Sequence, residues 1–431
     1  MRKNVLFITS DQQQATAMGI VDSSYVTPNL DELAKRGVRF ENVISTSAQC
    51  APARASWETG RYPHQVGVNQ IGHAMNPELD LVAKEFKKAG YSTAHFGKWH
   101  LYTDRHLCGY EVVGGDDEDV ASWTLGDQHA TTQVMDYLTN YDDNRPFFIA
   151  LSYYSPHPGK THFELVETYQ DLYPLEGIPV PKSYYADDLT TKPLFQKERA
   201  ESSESRLTES QARIDGQKYR TMVTNLDSNI GQVIACLDRA GLLENTAIVF
   251  TSDHGDLQGA HRLRLKGTLP YRELYNVPLL IVDPYERGEG NAVVSHLVSS
   301  AAVPGTLLDL AGIDIPPSFE GGTLLSYRNQ DHRPQQLVFF EHYRAYWGLH
   351  PFIGVQSERY KYTYYYGEDV EEMYDLQEDP LELTNVAERP DLVQVKHDLR
   401  QQVQDWWERT GALRVEPIKA TNVRGVWKEL L

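Results

Sequence analysis

Two short apolar runs, more than two hundred residues apart, each end in a carboxylate, and this repetition limits the fold more than any other feature. Val5-Leu6-Phe7-Ile8 passes into Thr9-Ser10-Asp11, and Ala247-Ile248-Val249-Phe250 passes into Thr251-Ser252-Asp253-His254-Gly255-Asp256. A continuous apolar run bounded by polar residues reads as a strand buried on both faces, as in a parallel sheet covered by helices. Ligands of open α/β sheets gather at the carboxyl ends of the strands. Asp11, Asp253 and His254 are therefore expected along one sheet edge.

The intervening chain keeps a βαβ rhythm. Thr27-Pro28-Asn29-Leu30-Asp31-Glu32-Leu33 reads as a capped helix start, with Gly37 as its close. A helix over Leu81 to Ala89, a strand over Ser92 to Phe96, a helix over Ala130 to Leu138 and a strand over Phe147 to Leu151 follow. Residues 159–216 interrupt this with Pro, Tyr, Ser and Glu, and read as a long excursion of loops. From Tyr219, the apolar positions Met222, Val223, Leu226, Ile230, Val233, Ile234 and Leu237 fall at helical spacing, which places Cys236 beside a buried stripe. Beyond about residue 330, Leu337 to Phe340, Phe352 to Gln356 and Tyr360 to Tyr366 predict short antiparallel strands, and Leu392 to Arg409 a closing helix. The expected fold is α/β: a large mixed, mostly parallel sheet flanked by helices over residues 1–330, and a small α+β subdomain over residues 331–431.

Composition removes several function classes. A net charge of −19 on 431 residues repels nucleic acid, so an anionic substrate must meet a local cationic pocket. No apolar run approaches the roughly 20 residues of a membrane span. Cys50, Cys108 and Cys236 are odd in number and widely spaced, which argues against a disulfide framework. The amino terminus enters the first strand without room for a signal peptide. The compartment this predicts is the cytoplasm, although removal of a leader is equally compatible.

Cys50-Ala51-Pro52-Ala53-Arg54, continued by Thr59-Gly60-Arg61, resembles the C-x-P-x-R…TGR signature of the type I, formylglycine-dependent sulfatases, whose fold is alkaline-phosphatase-like. Without the continuation, a lone cysteine would read as a small buried hydrophobe. The resemblance implies that Cys50 is oxidised to formylglycine. In the hydrated aldehyde one hydroxyl attacks and the other later expels the product, while Arg54 holds the diol. It also implies a calcium or similar divalent cation held by Asp11, Asp253, His254 and the matured Cys50, since carboxylate oxygens suit a hard cation. Gln12 stands where many members carry a second aspartate, and His254 where many carry asparagine. Both departures resemble the choline-sulfatase and phosphonate-hydrolase branches.

Three further segments resemble family positions: Gly97-Lys98-Trp99-His100, Ser155-Pro156-His157-Pro158, and Lys266. A sulfate ester needs positive groups around its non-bridging oxygens and a proton for the leaving alcohol. Lys98 and Lys266 fit the first task, and His100 and His157 fit proton transfer, one protonating the leaving group and the other helping the hemiacetal collapse, with the sequence leaving open which does which. Taken singly, each reads as a solvated charge or an ordinary polar residue. Arg105 and His106, with His342, Tyr343, Trp347 and His350, form aromatic and cationic groups suited to a sugar or aryl face, or equally to packing between subdomains. The expected reaction is hydrolysis of a carbohydrate or small organic sulfate ester. The alternative is phosphonate monoester or phosphodiester hydrolysis, and a different class is a non-catalytic anion binder. The implied partners are the sulfated substrate and a formylglycine-generating maturation enzyme, with homo-oligomerisation left open.

Overall fold

The computed structural model describes residues 2–115, 122–159, 163–202, 207–285, 292–328, 337–344 and 350–411. Its main sheet comprises β1 (Asn4–Asp11), β2 (Val38–Ile44), β3 (Ser92–Gly97), β4 (Val112–Gly114), β5 (Phe147–Pro156), β6 (Thr246–Ser252), β7 (Asn276–Val282) and β8 (Ala292–Ser299). Their order across the sheet is β4-β3-β5-β1-β6-β7-β2-β8. β7 is antiparallel to both neighbours, and every other pairing is parallel. The parallel core is what the apolar runs predict, and the mixed, mostly parallel sheet is what the family resemblance implies.

The strand period of two divides the core into two layers. Val5 and Phe7 face one layer, with Phe148, Val249, Ala55, Phe86 and Leu307. Leu6 and Ile8 face the other, with Ile149, Phe250, Leu33, Val134 and Ile230. Each fully buried side chain of this size contributes about 1.5–3 kcal/mol. Cys236 lies within the second layer, where its role is packing.

A second, antiparallel sheet has the order β12-β11-β10-β9, formed by β9 (Val338–His342), β10 (Phe352–Gln356), β11 (Tyr360–Tyr365) and β12 (Val370–Asp375). The helix Val393–Arg409 packs on it through Leu399, Val403, Trp406 and Trp407. This sheet is tied to the main domain next to the nucleophile segment. Glu341 donates its backbone N–H to the Thr46 carbonyl, and its carboxylate receives His64 Nδ1 at 2.7 Å.

The excursion contains more helix than its composition predicts. Lys182–Ala186 and Leu194–Glu201 are helical, and the long helix Glu209–Arg239 begins inside the excursion. Thr208 caps that helix by accepting from the Gln211 N–H, and Ala212, Asp215 and Gly216 are already buried in its first turns. Tertiary packing outweighs the polar character of the segment. Among the described residues, no helix is long and apolar enough to cross a membrane.

Candidate active site

Register brings the functional groups to one edge. Asp11 ends β1 and lies opposite Pro156 at the end of β5, while Ser10 pairs with Ser252, just before Asp253. Lys98 follows β3, and its backbone N–H binds the Ser152 carbonyl at 2.8 Å. The turn that releases Lys98 requires glycine. Gly97 has φ +85°, and a Cβ there would fall 1.9 Å from the Ser152 oxygen.

Cys50 is the first residue of the helix Cys50–Thr59, all ten residues of which are buried. Gly60 closes this helix in the left-handed region, donating its N–H to Ser56, and Arg61 Nε holds the Ser318 carbonyl at 3.1 Å. The Thr-Gly-Arg continuation therefore fixes the far end of the nucleophile helix.

The Cys50 thiol is enclosed by charge. Lys266 Nζ donates to Sγ at 2.8 Å, His254 Nε2 lies 3.3 Å from it, and Asp11 Oδ1 lies 3.7 Å away. Arg54 spans both carboxylates, donating from Nε to Asp253 at 3.0 Å and from Nη2 to Asp11 at 3.2 Å. Lys98 Nζ binds the same Asp11 oxygen at 2.5 Å. Burial alone would raise the thiol pKa, but Lys266, Lys98 and His254 hold it well below the ordinary thiol range. Burial and the neighbouring Cys50 likewise push Asp11 up, and Lys98 and Lys266 outweigh them to keep it ionised.

One donor atom from each of Asp11, Cys50, Asp253 and His254 lies within 4.8 Å of all the others. Ligands at roughly 2.3–2.6 Å from a shared calcium ion stand at such mutual separations. The tautomer of His254 supports the same fit. Its Nδ1 donates to the Gly255 carbonyl at 2.9 Å, which turns Nε2 toward the cluster. Gln12, in the left-handed region at φ +69°, turns its side-chain amide to Asp256 and donates its backbone N–H to Asp253 Oδ1 at 3.0 Å. The donor set fits a divalent cation.

Both sequence-predicted histidines face the thiol. His157 Nδ1 donates to the Pro158 carbonyl at 2.6 Å. Burial, helped by Lys266 and Lys98, pushes its pKa down to about 4, so the ring is neutral at ordinary pH. His100 has φ +60°, and its buried Nδ1 has no hydrogen-bond partner. Asp127, which no sequence motif marks, accepts the N–H groups of Tyr154 and Ser155 at 2.6 and 3.1 Å and so fixes the end of β5 that leads to His157.

The substrate-binding set is dispersed. Arg105 donates to His95 and to the Gly114 carbonyl, and His106 bonds the Tyr110 carbonyl, all at the β3–β4 side of the sheet. Tyr343 donates to Glu341 and accepts from Trp407 within the packing of the C-terminal helix. His350 stacks on Phe195 at 3.9 Å and pairs with Glu368. Among the described members of this set, only His342 stands close enough to the site to feel His254 and Lys266. Burial and those two groups lower its pKa to about 3, partly offset by a hydrogen bond to the Arg344 backbone. Trp347 lies outside the described residues.

Comparison with known proteins agrees with this geometry. The sulfatase family model matches residues 3–313, and the model of the N-sulphoglucosamine sulphohydrolase C-terminal region matches residues 259–409. The chain is similar to an arylsulfatase of Clostridium perfringens, with 28% identity over 90% of each chain. It is also similar to an N-acetylglucosamine-6-O-sulfatase of Bacteroides thetaiotaomicron, with 25% identity over 94% of this chain and 86% of that one. A solved structure in complex with its substrate D-glucosamine-2-N,6-O-disulfate superposes with a TM-score of 0.83 at 22% identity, covering 95% of this chain and 98% of that one. With three other metal-type donors and three cations gathered around one buried cysteine, and the family model spanning the sheet that carries them, the chain belongs to the sulfatase family and is a sulfuric ester hydrolase.

Proposed function

We propose that the chain hydrolyses the sulfate ester of a saccharide or a small organic alcohol at Cys50, after a maturation enzyme has converted that cysteine to formylglycine. The hydrated aldehyde would supply a nucleophilic hydroxyl and a second hydroxyl for product release. A divalent cation, calcium or one like it, held by Asp11, Asp253, His254 and the matured Cys50, would supply Lewis-acid polarisation of the sulfate.

The protein's own groups account for the rest. The Cys50 Sγ marks the place of the diol oxygens, and Lys266 at 2.8 Å stands where a non-bridging sulfate oxygen would also meet it. Lys98 and Arg54, both buried and bound to Asp11, keep that carboxylate ionised and add positive charge where the anion arrives. His157, neutral and with its proton fixed on Nδ1, offers a lone pair for proton acceptance, and His100 would offer a ring N–H whose proton passes to the leaving oxygen. His342 extends the site toward the C-terminal sheet and is the group we assign to the alcohol part of the substrate.

The observation that carries this reading is the convergence of Lys266, His254 and Asp11 on the Cys50 thiol. Similarity to relatives named for sulfated glucosamine substrates supports a saccharide. The test is a panel of sulfated monosaccharides, choline sulfate and an aryl sulfate beside a matched phosphonate ester. Sulfate release from at least one ester is expected. Faster turnover of the phosphonate would reverse the assignment.

A further inference from the structure

The stretch from Asp256 to Lys266, which carries Lys266 to Cys50, is held in a conformation that its residues disfavour. Gln258, His261, Arg262 and Leu265 have φ of 47°, 54°, 61° and 60°. A non-glycine residue in the left-handed region persists only where its surroundings over-determine it. The bracing comes from residues 183–199, within the excursion that the sequence leaves without a role.

Ser183 Oγ accepts the backbone N–H of His261 at 3.3 Å, and Asp187 Oδ2 takes His261 Nδ1 at 2.6 Å. The Asp187 carbonyl accepts Arg262 Nη2 at 2.5 Å. Arg199 Nη2 reaches the carbonyls of Arg264 and Lys266 at 3.4 and 3.3 Å. The His261 ring lies flat on Tyr271 at 3.8 Å. Asp187 is itself anchored from the other side. Lys192 Nζ stands 3.5 Å from its carboxylate and donates to the Tyr374 hydroxyl on β12 at 2.9 Å. Asp187 and His261 are both buried, so the pair is held on every side.

We propose that Asp187, acting through His261, is a positioning residue for Lys266, setting where its ammonium stands relative to Cys50 and His254. The inference rests on the reading that Lys266 meets the transferring sulfate. Asp187 binds the strap and Lys192, whereas Lys266 alone of this assembly binds the Cys50 thiol. An effect of Asp187 on rate must therefore travel through the strap. A misplacement of about 1 Å in a catalytic group costs about 10²-fold, which sets the scale.

A double-mutant cycle tests this on matured protein with an aryl sulfate as substrate. Asp187→Ala is expected to lower kcat by between about 10-fold and about 100-fold while KM changes less than about threefold. In the Lys266→Ala background the same change is expected to lower the residual kcat/KM less than about twofold, because the group it positions is gone. Equal losses in the two backgrounds would overturn the proposal, and so would full activity of Asp187→Ala. His261→Phe keeps a ring on Tyr271 and removes the hydrogen bond to Asp187, together with the 3.9 Å approach of Nε2 to Glu273. It runs the same cycle, judged by the same two criteria, if Asp187→Ala does not fold. Undiminished activity of Lys266→Ala alone would instead remove Lys266 from the reaction, and the inference with it.

Discussion

Lys266 Nζ and Cys50 Sγ lie 2.8 Å apart, and the same ammonium stands 3.0 Å from His254 Nε2. A cation, a nucleophile position and a metal-type donor thus share one contact although Cys50 lies 204 and 216 residues before His254 and Lys266 in the chain. In a buried site such a charge acts with little screening and little reorganisation. Removing it as Lys266→Ala is expected to lower kcat/KM by about 10²–10³-fold. Sulfate release measured on protein whose Cys50 conversion has been verified by mass checks this.

Arg54 is the only described side chain that donates hydrogen bonds to both Asp11 and Asp253. Its planar fork reaches two carboxylates at once, which a lysine ammonium cannot do at fixed geometry. Arg54→Lys is expected to lower activity at least about tenfold. Arg54→Met is expected to cost about 3–5 kcal/mol of stability by leaving the buried Asp253 without its guanidinium, while Lys98 still binds Asp11. Urea titration of the two variants separates the effects.

Glu58 titrates inside the fold. Burial pushes its pKa up to about 7, partly offset by the Tyr110 hydroxyl, which donates to Oε1 at 2.8 Å. The unfolded value is near 4.5, so folding favours the protonated form. Its contribution to stability is fully present below about pH 4.5 and is lost as pH rises through about 7. The loss is on the order of 3 kcal/mol. Glu58→Gln keeps an acceptor for Tyr110 and should flatten this part of the Tm profile, raising Tm at pH 8 relative to the parent chain.

The four-donor cluster of Asp11, Cys50, Asp253 and His254 predicts that calcium stabilises the fold. Calcium at 100 times its Kd is expected to add about 2.7 kcal/mol, seen as a rise in Tm that excess chelator reverses. Asp253→Asn should abolish that rise. A Tm indifferent to calcium, magnesium and chelator would contradict the cation site.

How legible each part was depended on whether its signal is local. Asp11 and Asp253 could be read because buried parallel strands are continuous apolar runs, and the first polar residues after such a run lie at the sheet edge. Lys98 and His157 could be placed by the same rule. That Cys50 opens a helix could not be read, because Gln49 makes no side-chain cap and all ten helix residues are buried, so neither a capping signal nor an amphipathic period exists. Asp127 and Asp187 act through partners 27 and 74 residues away, and no local pattern marks such pairs. The aromatic and basic segment around residue 343 fits a sugar platform and a subdomain interface equally well. Its direction came only from the fold, which turns Tyr343 toward Trp407 and leaves His342 beside His254 and Lys266.

Sulfate release from an aryl or saccharide sulfate, by protein produced with a formylglycine-generating enzyme, compared with Cys50→Ala produced the same way, tests the central claim most directly. The expected result is turnover by the parent chain, accompanied by the mass loss that marks conversion of Cys50, and no turnover above background by Cys50→Ala. Equal turnover by the two proteins would contradict the assignment of Cys50 as the nucleophile position.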